Sequence, residues 1–315
     1  MPKRLMYTGG PLDRAGERRR DAAWIAERLD HPATRIVPVW RDRNLVEPGD
    51  APQAGWLTGA AAAAALEQAS SQVFLGLWDE IAYLAVDLSH HEEDGLPSLV
   101  NGAEFADLRQ VGRLLAADDA TILAYARGML HWHRRQKFCS DCGSPTEARD
   151  GGHVQVCTNE ACARHHFPRT DPAVIMLVTH VGDDGVDRCL LGWSTRWDTP
   201  MYSTLAGFVE PGESLEEAVA REVFEESGIR CSEVTYRGSQ PWPFPASLML
   251  GFRAKGLNAD ITVDPHEIRE AKWFSRAELA EFGEFYGETD PTRPRLPRTD
   301  SISRRLINDW IEEGD

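Results

Sequence analysis

With 315 residues the chain has room for two compact domains, and 42% hydrophobic, 9% aromatic and 27% charged residues supply buried cores and exclude global disorder. No run approaches the roughly 20 apolar residues that cross a bilayer, and the opening Met1-Pro2-Lys3-Arg4-Leu5 has no apolar signal core, so a cytoplasmic protein without a membrane partner is expected. A formal net charge of −16 opposes loose adhesion to nucleic-acid or membrane phosphates, so an anionic substrate would need local cations.

In chain order, Gly16 to Leu29 reads as a helix and Arg35 to Trp40 as a strand, followed by a turn-rich stretch to Thr58. The alanine run Ala60 to Ala65, continuing through Gln68, is a helix by propensity. Val73 to Trp78 and Ile81 to Val86 are strands around a short turn at Asp79 and Glu80. From about Gly102 to Gln136 a long helix is expected, because Leu114, Leu115, Ile122, Leu123, Tyr125 and Leu130 fall at helical spacings. Residues 1–134 thus read as an α+β domain whose sequence names no chemistry. Segment 135–168 is cysteine-rich. In 169–315 the expected elements are strands at Ala173 to Thr179 and Cys189 to Trp193, a helix over 215–227, strands near Val234 to Tyr236 and Leu248 to Ala254, and a helix near Ile302 to Glu313. The Pro/Arg-rich stretch 291–298 should be a loop.

Four of the six cysteines, Cys139, Cys142, Cys157 and Cys162, fall within 24 residues. In a reducing compartment such clustering favours a metal over disulfides. Two loops that each present two thiolates can enclose one tetrahedral Zn²⁺ at about 2.3 Å per sulfur, a closed structural site. The second pair is spaced more widely than a two-residue knuckle, which leaves His165 or His166 as alternatives to Cys162.

The most informative segment runs from Gly207 to Ile229. Ser214 and Glu217 form a capping-box pair that starts a helix, and Gly228 suits the position just past its end. At about 100° per residue, Leu215, Ala218, Val219 and Val223 share one face; Glu222 and Glu226 lie within about 20° of Leu215, with Glu225 at the margin. A glutamate-rich helix is usually a solvated face. Carboxylates within an apolar stripe instead need compensating cations, since burying a bare charge is costly. Mg²⁺ suits the task, because it takes oxygen ligands and bridges to substrate phosphates.

The pattern Gly-x5-Glu-x7-Arg-Glu-hydrophobic-x-Glu-Glu-x-Gly-hydrophobic resembles the Nudix hydrolase box at every defined position. That resemblance implies an α/β/α sandwich and metal-dependent hydrolysis of a nucleoside diphosphate linked to another group. It also implies that Glu222, Glu225 and Glu226 are the metal-binding and catalytic carboxylates, that Arg221 orients a glutamate, and that Glu213 supports the loop.

Downstream, Ser239-Gln240-Pro241-Trp242-Pro243-Phe244-Pro245-Ala246-Ser247 alternates prolines with two aromatics. Such a stiff loop either presents ring faces for stacking bases, with Gln240 and Ser247 offering hydrogen bonds, or buries its aromatics in a core. The same residues resemble the signature of the NADH pyrophosphatases, which share the order of N-terminal domain, four-cysteine zinc ribbon and Nudix domain. The resemblance implies a homodimer that splits NADH or NAD⁺ into nicotinamide mononucleotide and AMP, with NAD-capped RNA a further substrate in some members. Carried over residue by residue, Gln240, Pro241, Trp242, Pro243, Phe244, Pro245, Ala246 and Ser247 line the substrate pocket, Phe167 stacks on a base, and Ser303 makes a backbone contact. Glu222, Glu226, Glu267 and the Ala206 carbonyl hold two or three Mg²⁺ or Mn²⁺ ions, and Glu225 or Glu267 is the candidate base. Two departures stand out: the wider second cysteine spacing, and Gly152 where some members place an acidic substrate contact. Another dinucleotide substrate, such as ADP-ribose or diadenosine polyphosphate, would need the glutamate helix but not the 239–247 loop. A nucleotide-sensing module would show a decayed carboxylate set, and here the set is complete. Arg134, Arg135 and Lys137 form a small basic patch suited to guiding an RNA 5′ end.

Overall fold

The structure, a computed structural model, describes residues 4–96, 100 and 102–314. The chain divides into two compact units: one comprises Met6–Thr170 together with Trp242–Ala246, the other Asp171–Pro241 and Ser247–Asp315 with the N-terminal end of the chain.

In the first unit a six-stranded sheet runs in the order Gln53–Ala54, Arg43–Glu47, Arg35–Trp40, Ile81–Asp87, Ser71–Trp78, with Glu104–Ala106 beside Arg43–Glu47. Alternate side chains of a strand point to opposite faces. Val37 and Val39 accordingly join the cluster built on Ile122, Leu123 and Leu130 of the long helix Ala117–Arg135, while Ile36 and Trp40 join Ala62 and Ala65 of the helix Gly59–Gln68. The sheet is therefore covered on both sides. Arg43–Glu47, within the stretch read as turns, is a paired strand. The expected helix over 16–29 is a 3-10 turn, Gly16–Arg18, followed by Ala22–Leu29, where the Asp21 side chain accepts from the Trp24 N–H. The expected helix over 102–136 also starts later. A strand, Glu104–Ala106, and two short helical turns precede Ala117–Arg135, and the break falls at Leu115, which is extended (φ −79°, ψ 158°) and buries its side chain.

The cysteine segment packs as part of this unit, as a three-stranded sheet of Thr146–Arg149, Val154–Cys157 and His165–His166. A Cβ at Gly152 would lie 2.7 Å from the Gln72 carbonyl oxygen, at a φ of +89°. Glycine stands there because a neighbouring backbone occupies the place of a side chain.

The second unit is an α/β/α sandwich around a seven-stranded sheet ordered Tyr202–Ser203, Asp187–Ser194, Asp171–Val181, Ser247–Gly256, Cys231–Trp242. Leu205–Phe208 pairs with Asp171–Val181, and Ile268–Ser275 with Asp187–Ser194; neither strand was anticipated from sequence. The central strand again alternates. Val174, Met176 and Val178 pack on Ala218, Val219 and Val223 of the helix Leu215–Ser227, whereas Ile175 and Leu177 pack on Ile302, Leu306 and Trp310 of the C-terminal helix Ile302–Glu312. No described helix is long and apolar enough to cross a membrane.

Candidate active site

The glutamate helix begins and ends as its sequence dictates. Ser214 Oγ accepts the Glu217 N–H (3.3 Å), Glu217 Oε2 accepts the Ser214 N–H (2.8 Å), and Gly228 closes the helix at φ +71° with its N–H on the Phe224 carbonyl. Its apolar stripe faces the sheet and takes Glu222 and Glu226 inward, at 9% and 7% exposure, while Glu225 stays exposed at the margin. Strand Leu205–Phe208 lies against the helix, and Glu222 packs on the bare Cα of Gly207.

Arg221 organises the carboxylates on the solvent side. Its guanidinium donates to Glu213 (2.6 and 2.9 Å), Glu222 Oε1 (2.9 Å), Glu225 Oε2 (3.0 Å) and the Phe208 carbonyl (2.8 Å). Glu213 is pulled down to about 2 by this guanidinium, aided by the Glu210 N–H, and Arg221 itself is held above its ordinary value. At the inner end the Arg196 charge and the Ala206 backbone only partly offset burial. Burial pushes Glu226 up to about 8, with the like charges of Glu222 and Glu267 acting in the same direction, and Glu226 Oε2 is buried without a hydrogen-bond partner. Burial also raises Glu222, against the pull of Arg221.

Glu226, Glu267 and Ala206 line one side of a cleft of about 560 Å³, with Arg196, Trp197 and His266 also on its wall. A carboxylate with one orphaned oxygen, on a residue that lines a cleft together with a second glutamate, is the donor chemistry a divalent cation takes. Among the described residues only the cysteines bring three or more ligand atoms within 4.8 Å of one another. The glutamates form a looser set, which suits ions that keep waters and share ligands with a phosphate substrate.

The proline-rich loop is divided by the fold. Gln240 is fully buried: its amide donates to the Asp300 carbonyl and its oxygen accepts the Ile302 N–H, each at 2.8 Å, so it anchors the start of the C-terminal helix. Trp242 to Ala246 belong to the first unit. There Phe244 is 6% exposed, set edge-on to Tyr7 and Trp242, with the guanidinium groups of Arg127 and Arg109 over its ring at 4.7 and 5.1 Å. Arg109 donates to the Phe244 carbonyl and Arg127 to that of Pro243. The Phe244 ring is thus spent on packing within the chain, which corrects the expectation that it stacks a base, while Trp242 is half-buried. Pro243 is buried with Phe244, Pro241 and Pro245 are exposed, and Ala246 and Ser247 are half-buried. Ser303 Oγ is committed to Ser203 Oγ and to the Thr204 N–H and hydroxyl, behind a stretch that lines the cleft. Phe167 is exposed at 52%, a free aromatic face. Of the basic patch, Arg134 is taken by Asp42 and Asp87, leaving Arg135 and Lys137 at the surface. Arg196 and Trp197 were missed; they sit in the turn after Asp187–Ser194, and the only signal for them was a cation beside an aromatic in an otherwise polar connection.

The four cysteine sulfurs lie within 4.8 Å of one another, with Cys139 to Cys162 at 3.8 Å and Cys142 to Cys157 at 3.4 Å. A tetrahedron with about 2.3 Å per Zn–S bond requires separations close to these. Ser144 hydrogen bonds pull Cys142 down to about 6 while burial pushes Cys157 up to about 12, and a bound cation favours the thiolate form of its ligands. Cys162 completes the set, and His165 and His166 stand outside it.

A sandwich with two glutamates buried on one short helix, one of them lining a cleft, is the architecture of a Nudix hydrolase, and residues 169–296 match the NUDIX domain family. Residues 33–132 match the NADH pyrophosphatase-like rudimentary NUDIX domain and residues 134–167 the NADH pyrophosphatase zinc ribbon domain. The chain belongs to the NADH pyrophosphatase family of Nudix hydrolases, enzymes that cleave the pyrophosphate bond of NAD(H). NAD-capped RNA hydrolase NUDT12 of Homo sapiens is 33% identical over 95% of this chain and 72% of its own. NAD-capped RNA hydrolase NudC of Stutzerimonas stutzeri is 42% identical over 69% and 71%. Nudix hydrolase 19, chloroplastic, of Arabidopsis thaliana is 40% identical over 79% of this chain, which spans 62% of that relative's length.

Proposed function

We propose that this chain hydrolyses the pyrophosphate bond of NADH and NAD⁺, yielding (reduced) nicotinamide mononucleotide and AMP, and that it removes NAD caps from RNA 5′ ends. The observation that carries this reading is the buried pair Glu222 and Glu226, the latter with an unpartnered carboxylate oxygen and lining a cleft together with Glu267. Two or three Mg²⁺ or Mn²⁺ ions, bound by Glu222, Glu226, Glu267 and the Ala206 carbonyl, would neutralise phosphate oxygens and make a bound water acidic. Arg221 keeps Glu222 oriented through its 2.9 Å bond and is itself fixed by Glu213. Glu225 shares that guanidinium and does not line the cleft, whereas Glu267 lines it, so Glu267 is assigned as the base. The names of the NudC and NUDT12 relatives support the RNA substrate. A homodimer acting in the cytoplasm completes the proposal.

The test is product analysis with Mg²⁺ and with Mn²⁺. Reduced nicotinamide mononucleotide plus AMP from NADH is expected; turnover of ADP-ribose or diadenosine polyphosphate with NADH untouched would overturn the substrate. Glu226→Gln should cut kcat on the order of a hundredfold while the fold is retained, and near-native turnover would overturn the site.

A further inference from the structure

Thr195, Arg196 and Trp197, in the turn after Asp187–Ser194, line the cleft, and this turn is tied to the loop that carries Glu267. The Thr195 N–H donates to the Glu267 carbonyl (2.9 Å), Thr195 Oγ1 to the His266 carbonyl (3.0 Å), and Ser194 Oγ to the Glu267 carbonyl (3.2 Å). Arg269 donates to the Thr195 carbonyl (3.1 Å) and lies over the Trp193 ring. The Trp193 indole N–H in turn holds the Trp197 carbonyl at 3.0 Å. The Trp197 N–H donates to the Ser194 carbonyl (3.2 Å), so its backbone is held at both N–H and carbonyl, and its ring is braced edge-on by Phe285 (centroids 5.9 Å apart, planes at 88°). Despite this bracing Trp197 remains 40% exposed, lines the cleft, and has Arg196 beside it on the same wall.

An indole held rigid, partly bare and next to a guanidinium suits the two halves of a nucleotide, a planar ring and an anionic phosphate. Ring-stacking loops usually lose entropy when they order on the ligand; here the order is already in place. Resting on the dinucleotide reading above, we infer that Trp197 is a specificity-determining residue, a stacking platform inside the catalytic cleft for one heteroaromatic ring of the dinucleotide, with Arg196 meeting the adjoining phosphate. This platform is separate from Phe167 and from the 239–247 loop.

The experiment is steady-state kinetics of the full-length protein with Mn²⁺, comparing wild type, Trp197→Ala and Trp197→Phe on NADH and on ADP-ribose. Base stacking on an aromatic is worth about 1–3 kcal/mol, so Trp197→Ala should raise the KM for NADH about tenfold while kcat holds, and Trp197→Phe should restore most of it. A parallel rise for ADP-ribose identifies the stacked ring as adenine; a rise for NADH alone identifies it as nicotinamide. An unchanged KM overturns the inference. So does a fall in kcat that phenylalanine fails to rescue, which would assign Trp197 to holding the Glu267 loop. Should wild type itself leave NADH intact, the substrate reading fails instead, and the two failures are distinct.

Discussion

A methyl group added at Gly207 would stand 1.8 Å from the Glu222 carboxyl carbon. Gly207 cannot yield, because it is paired with Val174 in the sheet, so the Glu222 side chain must move, out of the bond with Arg221 that holds it. Gly207→Ala should therefore displace the carboxylate and leave the sheet intact. A misplacement near 1 Å costs on the order of a hundredfold in rate, so kcat/KM should fall by about that factor with an unchanged circular dichroism spectrum; near-native kinetics would mean that Glu222 is not needed in this position. The inward turn of Glu222 and Glu226 was legible because a helix wheel fixes the relation between residues of one element. The unpartnered state of Glu226 Oε2 was not, since it depends on which donors fail to reach it, and no periodicity records that.

Elements anchor one another through residues that sequence alone assigns elsewhere. Gln240 lies in the loop signature and reads as a substrate contact, yet it bonds the Ile302 N–H and the Asp300 carbonyl at the start of the C-terminal helix. The first N–H groups of a helix lack partners within it. The Ser301 side chain serves the Arg304 N–H and Gln240 serves Ile302. Gln240→Ala should leave two buried backbone groups unpaired and cost about 1–3 kcal/mol, seen as a lower melting temperature, with the KM for NADH unchanged. A raised KM at unchanged stability would return Gln240 to the substrate pocket. The helix boundaries at Ser214 and Gly228 were readable because their signals are local. The late start of Ala117–Arg135 was not, because Leu115 and Ile122 satisfy helical spacing while tertiary burial pulls Leu115 into an extended conformation.

At the scale of the whole chain, three segments legible by composition fold into two units, with the ribbon built into the first. Two histidines do much of the joining. His133 Nε2 meets the Gly152 carbonyl at 2.6 Å while its Nδ1 faces Ser71 Oγ and Gln155 Nε2, and His153 Nε2 donates to the Phe74 carbonyl at 2.8 Å. Both rings are buried, and burial lowers both pKa values, that of His153 to about 4. A histidine with a depressed folded-state pKa is neutral when folded and charged when unfolded. The unfolded chain therefore binds the extra proton between pH 6.5 and 4, and stability is lost as pH falls through that window. With an ordinary value near 6.5 and a folded value near 4, the loss from His153 reaches about 2 kcal/mol at pH 5. His153→Gln keeps a donor for the Phe74 carbonyl and removes the titration. Thermal melts of the zinc-loaded proteins between pH 7.5 and 5 should show wild type losing more stability than the variant, with the difference vanishing above pH 7. Parallel pH slopes for the two proteins would mean that the ring stays neutral in both states or that water reaches it.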